Sequence, residues 1–139
     1  MQTDFRLEVV TPERVIFDGT VTGLTLPASD GLMGVLPNHA PLVAALDIGQ
    51  VTIKDQGGED FLMVADGFFE VADNHARILA DAGERASDID SDRAHEAEER
   101  ARERLKHRGE RDYDLDVDRA ERSLQRALWR QIIARRRGR

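Results

Sequence analysis

The chain has 139 residues, which suffices for one domain, or for one domain with an appendage. A net charge of -7 argues against general affinity for nucleic acid, and the absence of cysteine excludes disulfides and zinc–thiolate sites. No apolar run reaches the ~18 residues of a membrane span, and the first residues lack the basic-then-apolar pattern of a signal peptide. We therefore expect a soluble, cytoplasmic chain.

The front of the chain is predicted to consist of strands. From Phe5 to Ala80 the apolar residues recur with a period of two, and turn residues separate the runs. Asp18-Gly19 is typical of a hairpin turn that needs positive φ at both central positions. The apolar residues change parity at Gly23, which predicts a β-bulge. Short strands with a turn every ~8–12 residues predict an antiparallel β-sandwich, or flattened barrel, that holds the core.

A loop bounded by two prolines lies in the middle of these strands. Pro37 and Pro41 each fix φ and push the preceding residue away from helix. They enclose Asn38-His39-Ala40, and apolar pairs flank them on both sides. The pattern predicts a rigid loop that is either an ordinary connection between strands or a contact for a partner. His39 is interpreted as a packing or interface residue rather than a base.

The back of the chain is predicted to form two helices. The first spans Ser91 to His107, where glutamate precedes arginine at i,i+4 in Glu96–Arg100 and Glu98–Arg102. Its apolar stripe is narrow and mostly alanine: Ala94, Ala97, Ala101 and Leu105. The second begins near Asp116, with one apolar face made by Val117, Ala120, Leu124, Leu128 and Ile132. The fold class is therefore α+β, an N-terminal β-sandwich (1–86) followed by a C-terminal antiparallel two-helix hairpin (87–139).

The attachment of the hairpin is predicted to be weak. Small side chains bury little area, and two short helices are marginal alone. The hairpin is therefore expected to be able to leave the sandwich and dock elsewhere, which would be a switch.

The helices also carry a repeated acidic motif and an arginine cluster. The segment Ile89–Ala94 is repeated as 115–120, and the second residue of each repeat is an aspartate suited to cap a helix. If the hairpin turns near residues 110 to 112, Arg93 lies opposite Arg126 and Arg130, with Arg100 near the same side. Such a cluster suits phosphate oxygens, and Asp90 could accept from a base or sugar. The alternative is a solvated basic face that Glu96 and Glu121 balance.

Catalytic and metal chemistry find little support in the sequence. None of the 4 histidines has a partner at a metal-site spacing, apart from nearby acids on a charged helix. There is no Ser-His-Asp motif and no glycine-rich phosphate loop before a helix. We expect neither a metal site nor an enzyme, and a reaction at His39 has no accompanying residues.

Together these residues resemble a known family. The run Gly34–Leu42 followed by Leu46–Gly49 resembles the signature of the epsilon subunit of the F-type, proton-translocating ATP synthase, and the segments Leu7–Glu13 and Ala65–Val71 fit it too. The resemblance implies a non-catalytic rotor subunit of the central stalk that couples proton-driven rotation to ATP synthesis. It implies as partners the gamma subunit, the c-ring and the alpha/beta catalytic hexamer. It places the chain peripherally at the cytoplasmic face of the bacterial inner membrane, with membrane contact only through the complex.

The resemblance also implies two sets of site residues. The partner interface would comprise Ser29, Asp30, Gly31, Leu32, Pro37, Asn38, His39 and Pro41. The hairpin would inhibit ATP hydrolysis when extended into the hexamer. In some bacterial relatives the folded hairpin binds ATP as a regulatory ligand, with no cofactor required. The matching positions here are Glu84, Asp90, Arg93, Ala94, Arg100, Arg126 and Arg130. A free-standing nucleotide-sensing module, outside any rotary complex, is the alternative function.

Overall fold

A computed structural model describes residues 3–107 and 117–136. Within these residues a strand-rich front precedes two helices. The strands are β1 (Phe5–Val10), β2 (Val15–Val21), β3 (Gly23–Ala28), β4 (Gly31–Val35), β5 (Leu42–Leu46), β6 (Gly49–Asp55), β7 (Gly58–Ala72) and β8 (His75–Arg85). A 3₁₀ turn (Ala86–Asp88) leads to α1 (Ser91–Lys106) and then α2 (Val117–Ala134). Neither helix is both long and apolar enough to cross a bilayer.

The predicted β-sandwich followed by a helical hairpin is confirmed. The strands run in the order β2-β1-β8-β7-β5-β3-β4, and β6 joins β3 to β7. Neighbouring strands are antiparallel, with the exception of β1 and β8, which pair in parallel. These two strands are joined through the whole sandwich rather than by a tight turn, so no local turn forces them to be antiparallel.

β7 is a long strand that changes direction at Asp66 and Gly67, where φ is 60° and 118°. The residues before this kink pair with β6, and those after it pair with β5. β7 therefore belongs to both layers of the sandwich. A Cβ at Gly67 would lie 2.0 Å from the Leu79 carbonyl oxygen, so only glycine fits.

Two local predictions in the front half need correction. Asp18-Gly19 is not a hairpin turn but part of β2, where it pairs with Glu8 and Leu7 of β1. The β1–β2 hairpin turns instead at residues 11–14, closed by the Thr11 N–H donating to the Arg14 carbonyl at 2.9 Å. Continuous pairing with β1 overrides the local turn preference of Asp-Gly. The parity change expected as a bulge at Gly23 is a bend at Thr22, between β2 and β3.

Two apolar clusters hold the molecule together. The first fills the sandwich, and its largest fully buried side chains include Phe69, Leu7, Leu26 and Ile53. The second lies where α2 meets the sandwich and the 3₁₀ turn. It consists of Ile48, Met63, Ala65, Ala86, Ile89, Ile133 and Ala134, with Trp129 packed against it.

The alanine stripe is confirmed in part. Ala94 and Ala101 of α1 and Ala120 and Ala127 of α2 are buried, which lets the two helices approach closely. On α2 the apolar face is displaced from the prediction, because Ile133 is buried whereas Ile132 is exposed. The reason is that α2 lies between α1 and the sandwich and buries residues toward both. The predicted start of the second helix near residue 116 and the predicted turn near residues 110 to 112 lie outside the described residues.

Candidate functional site

A polar cleft of about 530 Å³ opens where α1 begins. The sandwich contributes to it from the β1–β2 turn and the end of β8, and the hairpin contributes from both helices. Its lining residues are Arg14, Glu84, Asp88, Asp90, Arg93, Ala94, Ala97, Arg100 and Arg130. All but one of the predicted ATP-site residues are therefore brought together, although they lie on three different elements.

The N-terminus of α1 forms one wall of the cleft. Asp90 caps the helix, since its Oδ1 accepts from the Arg93 backbone N–H at 3.1 Å. The capping role that the sequence suggested for Asp90 is thus present. The cap also fixes the first turn of α1, which carries Arg93 and Ala94 into the cleft.

The cleft carries a small excess of positive charge, since its arginines outnumber its carboxylates by four to three. Arg130 donates from Nε to Glu84 Oε1 at 2.6 Å, so this cation is already partnered. Arg93 and Arg100 are exposed, and neither forms an ion pair within the described part of the chain. Two free guanidinium groups beside a partly buried ion pair can bind an anion, and their forked donors match phosphate oxygens.

Arg126 is the predicted site residue that does not line the cleft. It lies one helical turn before Arg130, about 6 Å along α2. Its Nη2 donates to Ser123 Oγ at 3.2 Å. Partial burial lowers the pKa of Arg126, and the neighbouring cations Arg130 and Arg122 lower it further. The structure therefore places Arg126 in a row of arginines along α2, beside the cleft rather than in it.

Sequence reasoning missed Arg14 and Asp88 as cleft residues. Asp88 lies just before the Ile89–Ala94 motif, so a search of the motif's flank could have found it. Arg14 comes from the β1–β2 turn, and nothing in its local sequence indicates that this turn lies beside α1. Among the residues described, no group of three or more metal-ligand side chains is arranged to hold an ion.

A second candidate surface follows β4, which ends the sheet and pairs with β3. At one end of β4 is the two-residue turn Ser29-Asp30, which Gly31 allows by taking φ of 127°. Leu32 follows it and is 80% exposed. The proline-bounded loop lies at the other end of this five-residue strand, about 17 Å away. The predicted partner residues thus fall at both ends of one edge strand.

The proline-bounded loop is held in place as predicted. Asn38 has φ of 63°, and its backbone N–H donates to Asn74 Oδ1 at 2.7 Å. Asn74 in turn donates from Nδ2 to the Asp4 carbonyl at 2.8 Å, which ties the loop to the β7–β8 turn and to the N-terminal segment. His39 hydrogen-bonds through Nδ1 to the Ala40 carbonyl oxygen at 2.7 Å. Pro37 is half-buried, and Pro41 is exposed.

Large apolar side chains are exposed on β4, directly after it, and on β5, β7 and β8. They include Leu32, Leu36, Val43, Phe68 and Leu79. Phe68 is the cross-strand partner of both Ala45 and Leu79, and Val43 lies two residues from Ala45 on the same strand. Val43, Phe68 and Leu79 therefore form a patch on β5, β7 and β8 rather than scattered singles. Contiguous apolar surface of this kind is typical of a protein–protein interface.

Comparison with known families matches both halves of the chain. The family model described as ATP synthase, Delta/Epsilon chain, beta-sandwich domain matches residues 4–86. The family model for the long alpha-helix domain of the same chains matches residues 87–130. The ATP synthase epsilon chain of Pelotomaculum thermopropionicum is 49% identical over 100 residues, 72% of this chain and 75% of that relative. The epsilon chain of Desulforamulus reducens is 46% identical over 101 residues, 72% and 76% of the two chains.

Solved structures share the fold. A chain of the Euglena gracilis mitochondrial ATP synthase, in a structure of OSCP, F1 and the c-ring, superposes with a TM-score of 0.78 at 22% identity, covering 97% of this chain and 82% of that one. A chain of the central stalk and c-ring of the Tetrahymena thermophila mitochondrial enzyme gives a TM-score of 0.60 at 14% identity, covering 96% and 97%. The likeness extends over both the sandwich and the helices.

Proposed function

The chain belongs to the family of ATP synthase epsilon chains, stalk subunits rather than catalytic ones, and from that premise we propose that it couples proton-driven rotation to ATP synthesis. The observation that carries the proposal is the match of both halves, in order, over residues 4–130. The chain then works in the rotor, at the cytoplasmic face of the bacterial inner membrane, and reaches the membrane only through the complex.

The sandwich is the part that docks on the rotor. We assign the β4 edge, from Ser29 to Pro41, to the c-ring, and the adjoining apolar patch to the gamma subunit. Exposed apolar side chains and a tightly held loop support this assignment, because both suit a fixed interface.

A charge placed in the patch tests this docking. Val43→Asp, at a position 69% exposed, is expected to reduce recovery of gamma and the other subunits with the tagged chain from membranes. Val15→Asp is the matched control, since Val15 is a strand valine 61% exposed outside the patch. Equal recovery with both variants would contradict the assignment, and no recovery with the unaltered chain would favour a free-standing module.

The hairpin is the regulatory part. We propose that it leaves the sandwich, extends into the alpha/beta hexamer and there inhibits ATP hydrolysis. Its attachment through a small apolar cluster and solvent-accessible ion pairs supports such a switch. Removing residues 87–139 from the assembled enzyme is expected to raise ATP hydrolysis, and unchanged hydrolysis would argue against inhibition.

ATP is the ligand that best suits the cleft. Arg93 and Arg100 offer forked donors to its phosphates beside the Arg130–Glu84 ion pair, and Asp90 offers an acceptor to its base or sugar. Since the cleft is built from both the sandwich and the hairpin, ATP would bind the docked state better. It would therefore shift the population toward that state.

Calorimetric titration of the isolated chain with ATP tests the site. Loss of a charge-assisted hydrogen bond costs about 1.5–3 kcal/mol, so Arg93→Ala and Arg100→Ala are each expected to weaken binding roughly 10- to 100-fold. Arg126→Ala is expected to have a smaller effect, because Arg126 does not line the cleft. Arg104→Ala, an exposed arginine of α1 outside the cleft, is the control. Equal affinity in all of these variants would remove the site.

A further inference from the structure

The hairpin is attached to the sandwich through α2. This helix contacts β6, β7 and the 3₁₀ turn, whereas α1 packs on α2. The apolar contacts come from the end of α2, where Trp129, Ile133 and Ala134 join the second cluster. The first half of α2 therefore needs another attachment if it is to stay on the sandwich.

Within the described residues, the ion pair between Arg122 and Asp66 supplies such an attachment. Arg122 donates from Nη2 to Asp66 Oδ2 in a close contact between α2 and β7. Arg122 lies about 10 Å along the helix from Trp129, toward its N-terminus. A second ion pair between hairpin and sandwich in the described part of the chain, Arg130–Glu84, lies in the half of α2 that already carries the apolar contacts.

The kink of β7 sets the position of Asp66. Its φ of 60° is a conformation that aspartate tolerates better than most residues, and Gly67 completes the change of direction. The electrostatic surroundings favour the pair as well. The pKa of Arg122 is raised, first by its hydrogen bond to Asp66 and then by the charge of that residue, with smaller contributions from Asp47 and Asp81.

The pair is also open to solvent, with side-chain exposures of 46% for Arg122 and 29% for Asp66. An exposed ion pair typically shifts an equilibrium by at most about fivefold, and salt weakens it further. It is thus strong enough to bias a local docking equilibrium and weak enough to release.

We propose that Asp66 and Arg122 form an electrostatic latch that holds the first half of α2, and α1 with it, on the sandwich. The latch opens before the apolar contacts around Trp129, so the hairpin undocks in two steps. The consequence for inhibition in the complex rests on the regulatory function proposed above, whereas the latch itself is a property of the isolated chain.

Amide hydrogen exchange of the full chain tests the latch. Asp66→Asn and Arg122→Gln remove one charge each, and asparagine keeps the preference for positive φ. At low salt we expect each variant to speed exchange at 117–124 by about threefold to fivefold, with a smaller change at 127–134. Because the two residues act as one contact, the double variant is expected to exchange no faster than either single variant.

Matched controls separate the latch from general charge effects. Asp73→Asn changes an aspartate that also has positive φ, at 52°, but lies in the β7–β8 turn. Arg104→Gln removes an exposed arginine from α1. In both control variants, amide exchange at 117–124 is expected to be as slow as in the unaltered chain. At about 0.5 M salt the difference between the unaltered chain and the latch variants should disappear, because screening weakens the ion pair in the unaltered chain and the variants already lack it.

The exchange rates at 117–124 in the single and double variants decide whether the latch exists. Unchanged exchange at 117–124 in both single variants, or effects that add in the double variant, would overturn the latch. Such a result would leave the regulatory proposal standing if removal of residues 87–139 still raised ATP hydrolysis. Conversely, a working latch with unaltered hydrolysis would reject only the regulatory function.

Discussion

At the scale of single residues, backbone conformation and close contacts decide what can be replaced. Gly67 lies at the kink of β7 with φ of 118°, and the Leu79 carbonyl occupies the space that a Cβ would need. Gly34 lies in β4, where a Cβ would meet nothing within 4 Å. The two glycines therefore form a natural pair of test and control.

We expect Gly67→Ala to destabilise the fold by about 3 kcal/mol or more, since it combines an unfavourable φ with a clash against backbone. Urea unfolding followed by far-UV circular dichroism measures the change. Gly34→Ala should alter the free energy of unfolding by less than about 1 kcal/mol. Similar stability of the two variants would mean that the kink relaxes without cost.

Residue-level prediction from the sequence succeeded where the cause was local. Asp90 was identified as a helix cap because an aspartate before a helix satisfies free N–H groups in that helix. Asp18-Gly19 was misread because pairing with β1, formed by residues distant in sequence, overrode its turn preference. Arg14 could not be assigned to the cleft, because its position depends on where the β1–β2 turn meets α1.

At the scale of elements, the contact between the two helices combines small apolar residues with a polar bridge. Glu98 of α1 accepts from Gln131 Nε2 of α2 at 2.9 Å and from Arg102 Nε at 2.7 Å. The predicted pair Glu98–Arg102 is thus formed, and the same carboxylate joins the helices. Gln131 could not be foreseen as its partner, because the register of the two helices is set across a connection that pattern alone does not define.

This bridge predicts an acid dependence of hairpin packing. The hydrogen bond from Gln131, and then that from Arg102, lowers the pKa of Glu98 below its ordinary value. A carboxylate with a lowered pKa in the folded state stabilises that state above its unfolded pKa of about 4.3. The contribution is lost as the pH falls through the lowered folded value.

Glu98→Gln is therefore expected to leave α1 and α2 less sensitive to pH between about 5 and 2 than they are in the unaltered chain. Amide exchange of peptides from α1, measured across this range, checks the result. Glu96→Gln, at an exposed position of the same helix, serves as the control and should keep the original acid dependence. Equal pH dependence in all three chains would show that Glu98 does not carry the effect.

At the scale of the whole molecule, the two apolar clusters differ in the elements that form them. The first consists of residues from the strands alone, whereas the second joins Ile48, β7 and the 3₁₀ region to the end of α2. The sandwich thus carries its own core, and the hairpin depends on the sandwich.

A fragment of residues 1–86 is therefore expected to fold cooperatively with a β-type circular dichroism spectrum. It should have a lower Tm than the full chain and bind a hydrophobic dye, because Met63 and Ala65 lose the cover of α2. Heat denaturation and dye fluorescence measure these two effects. An unfolded fragment would contradict the predicted boundary at residue 86, which stays a prediction until then.

Architecture at this scale was predictable because alternation and helical periodicity identify a sandwich and two helices. The parallel pairing of β1 with β8 was not, since strands at opposite ends of the front half have no turn that fixes their direction. Most of the residues that line the cleft were predicted from the sequence. Their geometry was not, because it depends on how the hairpin lies on the sandwich.

The shared strand β7 has a mechanical consequence. Its first half is bonded to β6 and its second half to β5, so the two layers are joined by continuous backbone. Sliding one layer over the other would require breaking a ladder of hydrogen bonds, not merely shifting side chains. Such a seam makes the sandwich resist shear between its two layers, which suits the rotational coupling proposed for it.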